Sequence, residues 1–168
     1  KGELQIMQFI TDPMSIETKS MEIIRPYLES YTLSDNEAKI YSRIIHAAGD
    51  PEYAKVISIH PQAIEAGCSA LRAGKDIFCD VEMVRTGINK KTLNKLGGNV
   101  HCLISDETIA QEAKKQGLTR SMIAMRTFGQ RMEGSIVAIG NAPTALFELL
   151  RIMKETQLRP ALIIGVPV

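Results

Sequence analysis

The sequence lacks several features that mark common classes of protein. It contains no tryptophan and only three cysteines, Cys68, Cys79 and Cys102, which form no C-x-x-C pair. An odd number of cysteines without that spacing argues against a disulfide framework and against a thiolate metal site. We therefore expect these three residues to be small buried apolar side chains.

Long apolar runs and an excess of charge of one sign are also missing. No segment approaches the roughly 20 apolar residues of a membrane helix, and residues 1–5 do not begin a signal peptide. We therefore expect a cytoplasmic protein that does not act at a membrane. The 20 Lys and Arg residues balance the 19 Asp and Glu residues to a net charge of +1, which gives no electrostatic basis for binding nucleic acid.

The chain does have an ordinary globular composition and the length of one domain. Its 168 residues are 45% apolar and 23% charged, with 12 glycines and 7 prolines. These values exclude disordered, collagen-like and heptad-repeat proteins. Because no low-complexity segment interrupts the chain, residues 1–168 are predicted to form a single domain.

The first part of the chain carries helical patterns. A helix is predicted from about Ser15, with Pro26 as a candidate kink. Residues 34–37 match the capping box S-x-x-E, and apolar residues at helical spacing follow as far as Gly49. A third helix is predicted between Pro61 and Gly74.

From residue 75 onward, short apolar runs alternate with helical stretches. Strands are predicted at 75–80, 100–104, 135–140 and 161–166, and helices near 107–116, 119–132 and 143–156. The strands are as apolar as strands buried on both faces must be. The predicted fold is therefore α/β, a mostly parallel sheet flanked by helices on both faces in three layers.

The chain stops at residues 165–168, directly after the last predicted strand. Ligands of such sheets bind outside the carboxyl ends of the strands. We therefore expect a further C-terminal segment beside the site, which these 168 residues do not contain.

The most informative motif is a strand followed by the turn Gly140–Asn141 and by a helix that begins at Pro143. The free amides of such a first turn, with the positive end of the helix dipole, form a cradle for a carboxylate or phosphate. The alternative is a tight connection that binds nothing. The absence of G-x-G-x-x-G and of G-x-x-x-x-G-K-[ST] disfavours dinucleotides and nucleoside triphosphates.

His46 is a candidate proton donor. It lies in the last turn of the capped helix, where the helix dipole favours protonated imidazole and Arg43, one turn earlier, opposes it. The alternative is a solvated or hydrogen-bonded residue at a helix end. Structural roles are favoured for His60 and His101, and the three histidines share no metal-ligand spacing, so no metal site is predicted.

Two acidic residues and one arginine are expected near the carboxyl edge of the sheet. Asp80 and Glu82 fall just past residues 77–79, the apolar part of the first predicted strand, where they could perform acid–base chemistry, hold an arginine in place or cap a short helix at residues 83–87. We favour a supporting role for both. Arg120 begins a helix and is a candidate clamp for a carboxylate, with an ordinary surface arginine as the alternative.

An apolar helix face is predicted between residues 122 and 132. It consists of Met122, Ile123, Met125, Phe128 and Met132. Such a face is either core or a surface that packs against a flat ligand or a second subunit, and periodicity does not choose between them.

Four ordered blocks of the chain resemble one known family. They are residues 44–49, residues 79–84 with Gly87, residues 118–121 and, above all, residues 137–146, V-A-I-G-N-A-P-T-A-L. Together they are similar to the precorrin-8X methylmutases, and the likeness extends in order from Ser20 to Val168. That family has a version in both the aerobic and the cobalt-dependent branch of cobalamin biosynthesis.

The resemblance implies an isomerase that acts on a tetrapyrrole, a corrin precursor. Its reaction moves a methyl group from C-11 to C-12 of the macrocycle by a sigmatropic shift. The resemblance also implies that no cofactor is used and that the protein is a homodimer. The catalytic histidine of the family falls on His46, which agrees with a helix-end imidazole that protonates the ring.

The resemblance further implies residues that bind the carboxylate arms of the substrate. They are Ser20, Arg43, Thr86 and Arg120, with turn amides from Gly140 and Asn141. The two arginines have the clearest physical basis, because charge-assisted hydrogen bonds to carboxylates are strong.

Two other functions remain open at this point. The first is a carrier that binds the corrinoid without converting it. The second is an unrelated α/β protein whose turn at Gly140–Pro143 binds a phosphorylated metabolite. Turnover distinguishes the first from the isomerase, and stabilisation by phosphorylated ligands alone would identify the second.

Overall fold

A computed structural model describes residues 10–166 of the chain. These residues fall into two compact units, one ending at Pro61 and the other beginning at Gln62. Each unit has its own buried core. The single domain over residues 1–168 stays a prediction.

The first unit is helical. Helix α1 spans Pro13–Leu28 and helix α2 spans Asp35–Ala48, and a 3-10 helix follows at Pro51–Lys55. Its buried core residues are Ile24, Tyr41, Ile45 and Ala54. The Tyr41 hydroxyl donates a hydrogen bond of 2.9 Å to the carbonyl of Ile57, which fastens the end of this unit to α2.

The predicted capping box of α2 is confirmed. The Ser34 hydroxyl accepts a hydrogen bond from the Glu37 amide, the Glu37 carboxylate accepts one from the Ser34 amide, and Gly49 ends the helix at φ 67°. The beginning of α1 differs from the prediction. Asp12 is its N-cap and accepts from the Ser15 amide at 2.8 Å, so the helix begins at the following proline.

The second unit is an α/β fold around a four-stranded parallel sheet. Its strands are β1 (Ile77–Cys79), β2 (Val100–Cys102), β3 (Ile136–Ile139) and β4 (Leu162–Gly165). They lie in the order β2-β1-β3-β4, and every neighbouring pair is parallel. The predicted fold class is confirmed. Pro167 and Val168, at which the likeness to the family ends, lie outside the described residues.

Within residues 62–166, six α-helices accompany this sheet. They are α3 (Ala63–Arg72), α4 (Glu82–Gly87), α5 (Lys90–Lys95), α6 (Glu107–Gln116), α7 (Arg120–Phe128) and α8 (Pro143–Thr156). One face of the sheet packs against α7 and α8, with Val137 among Phe128 and Leu149. The other face packs against α3 and α5, through Ala70 and Leu93. Burial on both faces explains why the strands are almost wholly apolar.

The apolar face between residues 122 and 132 is core. Met125, Phe128 and Met132 are almost fully buried against the sheet. The helix predicted over 119–132 is shorter than expected, because it ends at Phe128 and a 3-10 helix follows at Gly129–Met132. Gly129 has φ 49°, a left-handed value that interrupts an α-helix.

The cysteines only partly match the expectation of burial. Cys79 is fully buried in β1, and burial raises the pKa of its thiol to about 12. Cys68 and Cys102 are half-buried. Within residues 10–166, no group of three or more side chains is arranged to hold a metal ion. None of the described helices is long and apolar enough to cross a membrane.

Candidate active site

The parallel sheet brings the residues that follow β1 next to the turn that follows β3. Cys79 pairs with Ala138 in the register of the two strands. Asp80 therefore lies beside Gly140 and Asn141, although about 60 residues separate them along the chain. This is the carboxyl edge at which sheets of this kind place ligands.

Asp80 is fully buried and binds three consecutive backbone amides. One carboxylate oxygen accepts from the Gly140 amide at 3.0 Å. The other accepts from the amides of Asn141 and Ala142, at 2.9 and 2.7 Å. The amides of Gly140 and Asn141, which are expected to bind the substrate, therefore already have an anionic partner from within the protein. The cradle is present, and Asp80 fills it.

The two carboxylates at this edge each bind a partner within the protein. The N-cap of α4 is Val81, and no side chain caps that helix, so the capping role considered for Asp80 and Glu82 is wrong. Glu82 instead holds an arginine, with 2.5 Å between its Oε2 and Nε of Arg85. Both carboxylates therefore already have partners in the protein, and the supporting role stays a prediction.

Arg120 is the first residue of α7 and is exposed to solvent. The preceding residue, Thr119, caps α7 by accepting from the Met122 amide at 3.2 Å. The Thr119 hydroxyl also lies 3.1 Å from the hydroxyl of Thr144 in the first turn of α8. Among the described residues, none forms an ion pair or hydrogen bond with the Arg120 guanidinium, which is therefore available to a ligand carboxylate.

The two candidate hydroxyl groups hydrogen bond within their own helices. The Thr86 hydroxyl donates to the carbonyls of Glu82 and Met83, at 2.8 and 3.0 Å. The Ser20 hydroxyl donates to the carbonyl of Ile16 at 2.9 Å. Each side chain therefore has to rotate before it can donate to a substrate carboxylate.

The first unit places His46 and Arg43 one turn apart on α2, both exposed. Arg43 is not free, because its Nη2 lies 2.6 Å from Oε1 of Glu17 on α1. Sequence reasoning missed Glu17, since nothing in the local pattern points to a partner 26 residues away. No partner of the His46 ring lies within the described part of the chain, so the imidazole is accessible to a ligand.

His101 has the structural role expected of it. Its Nε2 lies 2.8 Å from Oδ2 of Asp76, and its ring stacks on Phe78 with 5.0 Å between the centroids. Burial raises the pKa of Asp76, but the hydrogen bonds from His101 and Asn99 outweigh this and leave it below its usual value.

A second buried carboxylate, Glu148 on α8, was also missed from the sequence. It is 2% exposed, and its Oε1 accepts from Nε of Arg126 on α7 at 2.6 Å and from the guanidinium of Arg151. The hydrogen bond from Arg151 lowers the pKa of Glu148, burial opposes this, and Arg126 lowers it further. The Arg126–Glu148 pair joins α7 to α8.

Comparison with known proteins now identifies the family. The sequence model of the family described as precorrin-8X methylmutase matches residues 15–168. A cobalt-precorrin-8 methylmutase of Priestia megaterium is 44% identical over 156 residues, which cover 93% of this chain and 69% of the relative. A precorrin-8X methylmutase of Sinorhizobium sp. is 38% identical over 160 residues, covering 95% and 76%.

The solved structures agree with the sequences. The crystal structure described as precorrin-8X methylmutase from Thermus thermophilus matches with a TM-score of 0.81 and 32% identity. The match covers 92% of this chain and 75% of that one. This chain therefore belongs to the precorrin-8X methylmutase family, a family of isomerases of cobalamin biosynthesis.

Proposed function

We propose that this chain isomerises precorrin-8X or its cobalt-containing counterpart by moving a methyl group from C-11 to C-12 of the macrocycle. The observation that carries the proposal is the family match over residues 15–168. The reaction is intramolecular, so substrate and product have the same atoms and the same number of electrons. It therefore consumes no group donor and no oxidant.

His46 is the proposed proton donor. An accessible imidazole can protonate the ring system, which raises the electron demand at the carbon that receives the methyl group. The same imidazole takes the proton back once the methyl group has moved. The exposure of His46 at the end of α2 supports this role, because a ligand can reach the ring.

The proposed contacts to the carboxylate arms form one group in each unit. In the first unit they are Arg43 and Ser20. In the second unit they are Arg120, Thr86 and the exposed side chain of Asn141. Gly140 shapes the turn rather than donating its amide, because that amide already binds Asp80. The arginines supply most of the attraction through charge-assisted hydrogen bonds.

The structure counts against the phosphate-binding alternative. A phosphate at the turn before α8 would compete for the amides of residues 140–142 with Asp80, which already binds all three. Two oxyanions at one cradle would repel each other. From the family resemblance we also infer a cytoplasmic homodimer, and light scattering of the purified protein measures its mass in solution.

The direct test follows the visible spectrum of precorrin-8X, and separately of its cobalt form, during incubation with the protein. Conversion to the product spectrum supports the isomerase. Saturable binding without conversion identifies a carrier. Thermal stabilisation by sugar phosphates, with no response to either tetrapyrrole, would contradict the proposal. Heat-denatured protein is the control for spontaneous change of the pigment.

A further inference from the structure

We propose that Asp80 is a positioning residue for substrate binding. Its carboxylate fills the anion cradle at the start of α8 and so fixes Asn141 and Arg120 where they contact the carboxylate arms of the substrate. This inference rests on the proposed function, because it deepens the binding roles given to Asn141 and Arg120.

The turn between β3 and α8 presents three consecutive backbone amides to one carboxylate. Three consecutive amides that converge on one point at the start of a helix form a typical anion site. Here both oxygens of Asp80 take up that site, at 2.7 to 3.0 Å from the amides of residues 140–142. A substrate carboxylate is therefore excluded from the cradle. Recognition at this edge depends on side chains such as Asn141, which is exposed next to it.

The carboxylate of Asp80 is buried. Asp80 is 0% exposed, and a buried carboxylate is costly unless hydrogen bonds compensate for lost water. Within residues 10–166, no lysine, arginine or histidine forms an ion pair with Asp80. Its side-chain partners are the amides of a single turn. Loss of the carboxylate therefore first changes the position of residues 140–142, which include Asn141.

A contact between two threonine hydroxyls connects the turn to the segment that carries Arg120. Thr144 lies in the first turn of α8, two residues after Ala142, whose amide binds Asp80. Its hydroxyl is 3.1 Å from the hydroxyl of Thr119, the residue that caps α7 and precedes Arg120. A shift at the start of α8 is thereby passed to the start of α7.

The experiment compares Asp80→Ala and Asp80→Asn with Glu148→Gln. Glu148 is an equally buried carboxylate of the same unit whose partners are arginines away from the turn. We expect both Asp80 variants to raise KM and the Kd of the product roughly tenfold, because misplaced binding groups lose affinity. We expect kcat to change less than about threefold. The Glu148 variant loses thermal stability but keeps the KM of the wild type.

Rescue of KM by formate provides a second measurement. It would not occur if Asp80 contributed only to stability. In Asp80→Ala the cradle is vacant, so sodium formate should lower KM toward the wild-type value, while sodium chloride at equal concentration should not. Formate should have no effect on Asp80→Asn, whose amide fills the space, or on Glu148→Gln. Should Asp80→Ala fail to fold, the isosteric Asp80→Asn still supplies the KM comparison.

The proposal is wrong if the Asp80 variants and the Glu148 variant lose stability alike while KM and product Kd stay at wild-type values. A wild-type protein that neither binds nor converts the tetrapyrrole overturns the proposed function, and the substrate role of Asp80 fails with it. Hydrogen exchange at residues 140–142 then tests separately whether the Asp80 carboxylate holds these three amides. Amides that remain as protected in Asp80→Asn as in the wild type would disprove it.

Discussion

At the scale of single residues, the chemistry of the site depends on partners that are remote in sequence. Arg43 forms an ion pair with Glu17, and Asp80 binds a turn about 60 residues further along the chain. The sequence identifies the residue types and the edge of the sheet on which they lie. It does not identify these pairings, because local periodicity contains no information about which remote side chain will be adjacent.

The Glu17–Arg43 pair leads to a prediction about affinity. Both side chains are more than half exposed, so their attraction is weak and competes with a substrate carboxylate for the same guanidinium. We expect Glu17→Gln to lower KM by roughly twofold to fivefold at low salt, and this gain should shrink as salt screens the charges. Steady-state kinetics at two salt concentrations measures the effect.

Glu22→Gln is the matched control for this prediction. Glu22 lies on the same helix and pairs with Lys19 at 3.2 Å with similar exposure, but it does not contact Arg43. An equal change in KM for both variants would show a general effect of charge. It would thereby contradict competition at Arg43.

Arg120→Ala should weaken substrate binding more than it slows the bound reaction. Its guanidinium has no partner among residues 10–166, so its removal leaves no carboxylate of that range without its partner. We expect KM to rise roughly tenfold, because one charge-assisted hydrogen bond is lost, while kcat changes little. The exposed Lys114→Ala is the control. A fall in kcat with KM unchanged would reject the binding role.

At the scale of helices and strands, the sequence predicts the elements whose bounds follow from their pattern of apolar residues. All four strands were predicted within two residues at each end, because buried parallel strands are continuous apolar runs. Helix α8 was predicted at its observed bounds, since Pro143 begins it and its apolar face is regular. Helix α5 was missed because Leu93 is its one buried residue, which gives no periodic signal.

Gly98 leads to a prediction about the stability of this unit. A Cβ at Gly98 would lie 2.5 Å from the carbonyl oxygen of Lys75, a backbone atom that cannot move away cheaply. We expect Gly98→Ala to lower the free energy of unfolding by about 1 to 3 kcal/mol. Gly87→Ala is the control, since a Cβ there meets nothing within 4 Å. Urea titration of both variants tests the difference, and equal stabilities would contradict the close approach.

The Glu148 cluster leads to a prediction about acid stability. The pKa of Glu148 is lower in the folded protein than its ordinary value of 4.5. Its contribution is therefore complete above that ordinary value and is lost as the pH falls through the lowered pKa. Glu148→Gln should cost about 1 to 3 kcal/mol at neutral pH, because two arginines lose their buried partner.

Unfolding measured from pH ~6 to pH ~3 tests this sign. The stability gap between wild type and Glu148→Gln should narrow as the pH falls. Glu112→Gln is the control, because Glu112 is a more exposed partner of Lys115 at 3.8 Å. A gap that widens in acid would contradict the lowered pKa.

At the scale of the whole molecule, the near-neutral charge limits how the substrate is attracted. With 20 basic and 19 acidic side chains, the protein has little long-range field to steer a polyanionic tetrapyrrole. We expect the association rate constant to change less than about threefold between ~0.05 and ~0.3 M salt. Stopped-flow binding measures it, and a steep decrease would reveal a concentrated positive surface instead.

The central claim is that this chain moves the methyl group with a proton from His46. The most direct test is a single-turnover experiment in which excess protein is mixed with precorrin-8X and the visible spectrum is followed. Wild type and the control His60→Ala should give the product spectrum, whereas His46→Ala should bind the pigment but convert it at least ~100-fold more slowly. Conversion by His46→Ala at nearly the wild-type rate would contradict the claim.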